Sequence, residues 1–119
     1  MLILDSNIPI YLQISNFIEN EIINNRLVAD DKVPSTNDFS KSMNVNPATA
    51  GKGLNELVDQ GILYKKRGLG MFVTEDAKSI IVSKRKANFT KSLLPEFLKE
   101  AKQLNISKVE LIDMIGSEY

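Results

Sequence analysis

VPSTNDFSKSMNVNPATAGKGLNELVDQGILYKKRGLGMFV, at residues 33–73, carries two helix starts, two helix stops and a hairpin in close succession. Pro34 stops what precedes it. Ser35 opens a short helix, because its hydroxyl can accept from a free backbone N–H, and Asp38 three residues on supplies a weaker version of a capping box. Phe39 and Met43, four apart, face inward. Asn44 suits the left-handed position after a short helix, and Val45 follows as a buried turn residue. Asn46 and Pro47 are preferred at the N-cap and first position of the next helix. Ala50, Leu54, Leu57 and Val58 form its buried stripe, and Gly61 ends it in a left-handed cap. Short helix, tight turn and capped second helix have the spacing of a helix-turn-helix. Residues 62–66 and 71–74 are β-rich and flank Arg67-Gly68-Leu69-Gly70, a hairpin with a glycine-containing turn. A hairpin in that place is a wing. The expected fold is mainly α with a small β-hairpin: a winged helix-turn-helix over residues 1–75 and a helical segment over 76–119.

Upstream, residues 8–25 predict an amphipathic helix with Pro9 at its first position. Ile10, Ile14, Phe17, Ile18 and Ile22 form one apolar stripe, while Glu19, Glu21, Asn24 and Asn25 lie off it. Residues 26–34 form a turn, since Asp30-Asp31 break the period. Downstream of Glu75 the pattern is helical, with Ile80, Ile81, Ala87, Leu94, Phe97, Leu98, Ala101 and Leu104 at mixed three- and four-residue steps. Pro95 should kink or split that helix. Asn105-Ile106 makes a turn, and Ser107 with Glu110 forms a capping box for a last helix carrying Val109, Leu111, Ile112 and Ile115. These apolar positions exceed what two short helices bury, and so small an appendage has too little interior to stand alone. Burial against a second copy, in two-fold symmetry, is the expected solution. Folding back onto its own winged helix is the alternative.

Composition narrows the chemistry. The 119 residues include no cysteine and no histidine. Disulfides, thiolate metal sites, thiol nucleophiles and any Ser-His-Asp arrangement are excluded, and no carboxylate cluster stands out. No catalytic residue, metal or cofactor is expected, and the chain is not expected to be an enzyme. No apolar run approaches the ~18–20 residues of a membrane span, and the N-terminus lacks a signal-peptide pattern. No membrane association is expected, and the cytoplasm is the expected location. Lys+Arg and Asp+Glu number 15 each, for a net charge of zero. Since phosphate contacts dominate nucleic-acid affinity, only the local placement of charge, above all Lys65-Lys66-Arg67, points toward DNA. Strand alternation sets Lys65 and Arg67 on a different side from Lys66.

PIYLQI at 9–14, together with the stretch at 33–73 and the spacing between them, resembles the GntR family of bacterial regulators. The Asn-Pro-x-Thr opening of the third helix and the short C-terminal region resemble its YtrA-type branch. The resemblance implies a homodimer, paired through residues 76–119, that binds double-stranded operator DNA. In such a dimer the third helix enters the major groove and the wing tip reaches a neighbouring minor groove. Ser35 and Thr36 then fall at the start of the second helix, where the backbone approaches phosphate, and Asn37 falls just inside it among the DNA-binding positions. Asn46, Ala48, Thr49 and Lys52 fall on the recognition helix, and Lys65, Arg67, Gly68 and Gly70 on the wing. Many relatives carry arginine at the positions of Asn37, Pro47 or Gly51. Arginine reads guanine and asparagine suits adenine, so an A/T-leaning operator is expected.

Each of these residues also has a plainer use. The basic trio and the Lys52 face could be solvated, Asn46 could only cap, and Gly68 and Gly70 could only turn the chain. Gly51 and Gly53 cost roughly 1 kcal/mol each against alanine in a helix, which points to close approach to DNA or to a neighbouring helix, the plainer reading being that a poor helix former is tolerated. Lys84-Arg85-Lys86 is either a solvated helix face or a second DNA patch. The implied function is repression at a pseudo-palindromic operator, by resemblance that of a transporter operon. A winged-helix module that docks a protein partner is the rival. The tail is too small to enclose an ordinary ligand pocket of ~300 Å3, and the sequence identifies no effector.

Overall fold

The computed structural model describes residues 4–119. It divides into two compact units, the first ending at Ser83 and the second spanning Lys84–Tyr119. The first unit contains α1 (Ile10–Ile23), α2 (Thr36–Met43), α3 (Pro47–Asp59), β1 (Leu63–Lys66), β2 (Gly70–Val73) and the start of α4 (Ala77–Asn88). This is a winged helix-turn-helix.

Ile14, Ile18 and Ile22 of α1 pack with Ala50, Leu54 and Leu57 of α3 and with Phe39 and Val45 of the helix-turn-helix. Ile62, Leu63 and Val73 of the hairpin close the core from one end, and Ala77 and Ile81 of α4 join it. Those last two residues carry the first unit past residue 75 to Ser83. Phe17 sets its ring edge-on to Phe39 at 6.3 Å, joining α1 to α2.

The buried arc of α1 is wider than its isoleucine stripe. Ile10 is exposed, whereas Gln13, Ser15 and Glu19 are buried. Glu19 was expected off the apolar face and instead lies 3% exposed, so the arc that α1 turns inward reaches past the isoleucine stripe. Gln13 is explained by its bonds. Its side-chain oxygen accepts from Asp5 N, and its Nε2 donates to the carbonyls of Asp5 and Ile8. Pro9 is the N-cap rather than the first helical residue.

The segment expected as a plain turn at 26–34 adds a short third edge to the sheet. Lys32 bridges Phe72, Val33 N donates to Met71 O, and Val73 N donates to Asp31 O. Only Val33 points into the core there, so no alternation marked it as a strand.

The two helical glycines differ in kind. A Cβ on Gly53 would stand 2.6 Å from the Tyr11 carbonyl oxygen and 3.3 Å from Ile14 Cβ. The close approach is therefore to α1. A Cβ on Gly51 would meet Thr36 Cγ2 at 3.6 Å, an ordinary contact.

The second unit contains the end of α4, a π-helical turn at Phe89–Leu93, α5 (Leu94–Gln103) and α6 (Lys108–Glu118). Pro95 lies in the first turn of α5, and a π-helical turn divides that helix from α4, as the proline leads one to expect. Its ring would clash with the carbonyl four residues back, and the turn before it is widened so that Leu94 N–H donates to Phe89 O. Asn105 takes positive φ in the α5–α6 turn, and Ser107 Oγ accepts from Glu110 N, closing the serine half of the capping box. Ala101 alone is buried in this unit. Phe89, Leu93, Phe97, Ile112 and Ile115 remain about half exposed. Two open apolar grooves of ≈ 390 and ≈ 370 Å3 run along it, both lined by Phe97 and Ile115.

Gly53→Ala is expected to destabilise the protein by about 1–3 kcal/mol through overpacking against backbone. Gly51→Ala is expected to stabilise it by roughly 0.5–1 kcal/mol. Urea denaturation of the two variants checks both signs.

Candidate nucleic-acid interface

The entry to α2 is held by a reciprocal pair of hydrogen bonds. Asp38 N donates to Ser35 Oγ at 3.0 Å, and Ser35 N donates to Asp38 Oδ2 at 2.8 Å. The carboxylate lies below its ordinary pKa, chiefly because it accepts from the Ser35 backbone and side chain, with smaller help from Lys32 and Lys41. Asn37 is exposed, Ser35 and Thr36 partly so. Thr36 turns its methyl toward α3 at Gly51, so its position also serves helix–helix packing.

At the start of α3, Asn46 Oδ1 accepts from Ala48 N at 2.8 Å. Its cap role is thus occupied while the residue stays exposed. With Ala50, Gly53, Leu54 and Leu57 turned inward, the opposite side presents Asn46, Ala48 and Lys52 to solvent, with Thr49 partly exposed. Lys52 is not free in solution: its Nζ stands 3.9 Å over the ring of Tyr11. That cation–π contact stores the lysine beside the recognition face.

The wing is an antiparallel hairpin with Leu63, Tyr64, Lys65 and Lys66 opposite Val73, Phe72, Met71 and Gly70. Leu69 N donates to Lys66 O to close the turn, and Gly68 and Gly70 have φ of 77° and 121°. Both glycines are required by backbone geometry. Residues 65–69 are exposed. Pleating assigns Leu63, Met71 and Val73 to the core face and Tyr64, Lys66 and Phe72 to the outer one. Lys65 shares the first parity and Lys66 the second. On the outer face Tyr64 stacks on Phe72 at 5.7 Å, Lys66 Nζ lies 4.8 Å from the Phe72 ring, and Tyr64 Oη donates to Asp30 Oδ1. That bond raises the phenol pKa. Tyr11 and Lys32 are neighbours of this surface that the sequence does not single out, and Lys66, one of the basic trio, lies on the outer face with Tyr64 and Phe72. The helical pattern around Tyr11 marks only its isoleucines, and Lys32 becomes visible only through the third sheet edge. Among the described residues, no group of three or more His, Cys, Asp and Glu side chains could hold a metal ion, and no helix is long and apolar enough to cross a membrane.

A capped helix-turn-helix whose second helix leads into a basic, glycine-cornered hairpin defines a winged-helix DNA-binding protein. The profile of the bacterial regulatory proteins of the gntR family matches residues 10–73. The chain belongs to the GntR family and is a DNA-binding transcriptional regulator. It is 34% identical to the HTH-type transcriptional regulator YhcF of Bacillus subtilis, over 92% of this chain and 89% of that protein. It is 28% identical to the repressor YtrA of the same organism, over 92% and 84%. Among solved structures, a GntR family regulator from Listeria monocytogenes superposes with a TM-score of 0.76 at 30% identity, covering 98% of this chain and all of that one. The DNA-binding domain of AraR in complex with operator ORX1 superposes with a TM-score of 0.54 at 32% identity, covering 60% of this chain and 87% of that one.

Asp38→Ala is expected to destabilise α2 at neutral pH. The folded carboxyl titrates below the ordinary 3.8, so its contribution is complete above that value and is lost as pH falls through the folded one. Denaturation curves of wild type and variant should differ at neutral pH and draw together in acid well below 3.8.

Proposed function

We propose that this chain is a homodimeric, sequence-specific repressor that acts in the cytoplasm by occupying a pseudo-palindromic operator. It does so without catalysis. The observation that carries this is the uncovered N-terminal half of α3 beside an exposed basic wing, both fixed to one core. Asn46, Ala48, Thr49 and Lys52 meet the major groove, with Lys52 released from Tyr11 onto phosphate. Ser35 and Thr36 lie along the phosphate backbone at the α2 entry, and Asn37, just inside α2, reaches toward the bases. Lys65 and Arg67 flank the wing tip, where Gly68 and Gly70 let the chain approach a minor groove closely. Asn37, in a position where relatives carry arginine, favours adenine over guanine.

Dimerisation through the C-terminal segment is supported by its composition. Phe89, Leu93, Phe97, Ile112 and Ile115 are too exposed for a stable lone unit, and pairing with a second copy removes that apolar surface from water. Two-fold pairing sets half-sites about one helical turn, roughly 10 base pairs, apart. The similarity to YtrA extends through this segment and favours the same short-tailed architecture, with transporter genes as the target the YtrA-type resemblance implies.

Two measurements test the reading. In gel shifts against genomic fragments, affinity should fall steeply with salt. Arg67→Ala should weaken binding to operator and unrelated DNA alike and reduce the log–log slope by about 0.9. A salt-independent association would favour a protein-docking module instead. In sedimentation, wild type should be dimeric and Phe97→Asp monomeric, with operator affinity reduced at least on the order of tenfold by loss of the linked second half-site.

A further inference from the structure

We infer that Lys32 is a DNA phosphate contact, carried on the outer face of the wing by the third sheet edge. The inference rests on the proposed interface and extends it from the wing tip to the wing base. Lys32 bridges Phe72, and residues directly opposite in an antiparallel pair project to the same side. Phe72 pairs with Tyr64, and two residues along, Gly70 pairs with Lys66. Lys32, Tyr64 and Lys66 therefore share the outer face, while Leu63 and Val73 are buried on the other.

The side chain runs in a defined direction. A Cβ placed on Gly70 would stand 2.9 Å from Lys32 Cε and 3.7 Å from its Nζ. The lysine stem thus lies across the bare backbone of β2, toward the turn that carries Arg67. Lys66 Nζ approaches the same strand from the other side, over Phe72. At its other flank Lys32 acts electrostatically on Asp38, at the entry to α2. The stem lies against the wing while its charge reaches the start of α2, which is assigned to phosphate.

Little in the protein itself uses that charge. Lys32 is exposed, and among the described residues it makes no hydrogen bond or ion pair. Asp38, whose carboxylate feels its charge, already accepts from Ser35 N, and Asp30 and Asp31 accept from Tyr64 Oη and Val28 N. Lys32 and Lys66 set two ammonium groups against β2, and positive charges gathered on one strand favour an anion beside it. A DNA phosphate is the anion that the adjoining surface is built to meet.

The test is a salt titration of binding to operator and to unrelated duplex DNA, using full-length variants with unchanged melting temperature. Lys32→Ala should lower affinity severalfold and by the same factor on both DNAs, and reduce the log–log slope by about 0.9. Lys32→Arg should restore the slope, and Lys102→Ala, in the second unit, should leave it unchanged. If Lys32→Ala keeps the wild-type slope while Arg67→Ala lowers it, Lys32 is no contact and the interface stands without it. A loss on operator alone, with the slope intact, also overturns the assignment. If wild type itself binds without salt dependence, the interface reading fails with it.

Discussion

The absence of a side chain at Gly53 sets the geometry on which everything else depends. α3 presses its backbone to within a methyl group of the Tyr11 carbonyl, and no other residue type fits that gap without moving a helix. The cost is a poor helix former in the middle of the recognition helix. In return α1 and α3 lock at one depth and one rotation, with Ile14 and Ile18 against Ala50, Leu54 and Leu57. Rotation is what matters for function. Once those residues face inward, the 3.6-residue period obliges Asn46, Thr49 and Lys52 to face outward. The same approach brings the Tyr11 ring under Lys52, so the packing constraint and the placement of a recognition-face charge have one origin.

A chain of zero net charge can still serve a polyanionic partner, since several acids of its first unit are engaged locally. Asp38 closes the α2 cap, Asp30 accepts from Tyr64, and Glu21 pairs with Arg26 at 2.9 Å. Glu19 is withdrawn from the surface. Lys65, Lys66 and Arg67 on the wing stay exposed. Overall neutrality and a locally positive face are compatible whenever acids sit where the backbone or a hydroxyl needs an acceptor.

Much of this was legible from residue types. Ser35 with Asp38, Asn46 with Pro47, and Gly61 fixed both helix boundaries, because caps are local chemistry that needs no tertiary context. The hairpin followed from Gly68 and Gly70, whose positive φ the turn demands. What escaped was set by neighbours distant in sequence. Glu19 looked peripheral because the periodicity counts only apolar residues, whereas the buried arc of α1 also takes in Gln13, Ser15 and Glu19. Lys32 looked like a turn residue because its strand partner lies forty residues away, beyond any local pattern. Pro95 marked a break, but not its form, a π-helical turn with Leu94 N–H donating to Phe89 O.

The central claim, that the outer side of α3 and the wing form one DNA-facing surface, is most directly tested by following backbone amide resonances while duplex operator is added. The account predicts that Asn37, Asn46, Ala48, Thr49, Lys52, Arg67 and Gly68 move first and most, while Ile18, Leu57 and Val73 in the core stay near their starting positions. Shifts confined to Phe89–Tyr119, with α3 and the wing unmoved, would contradict it.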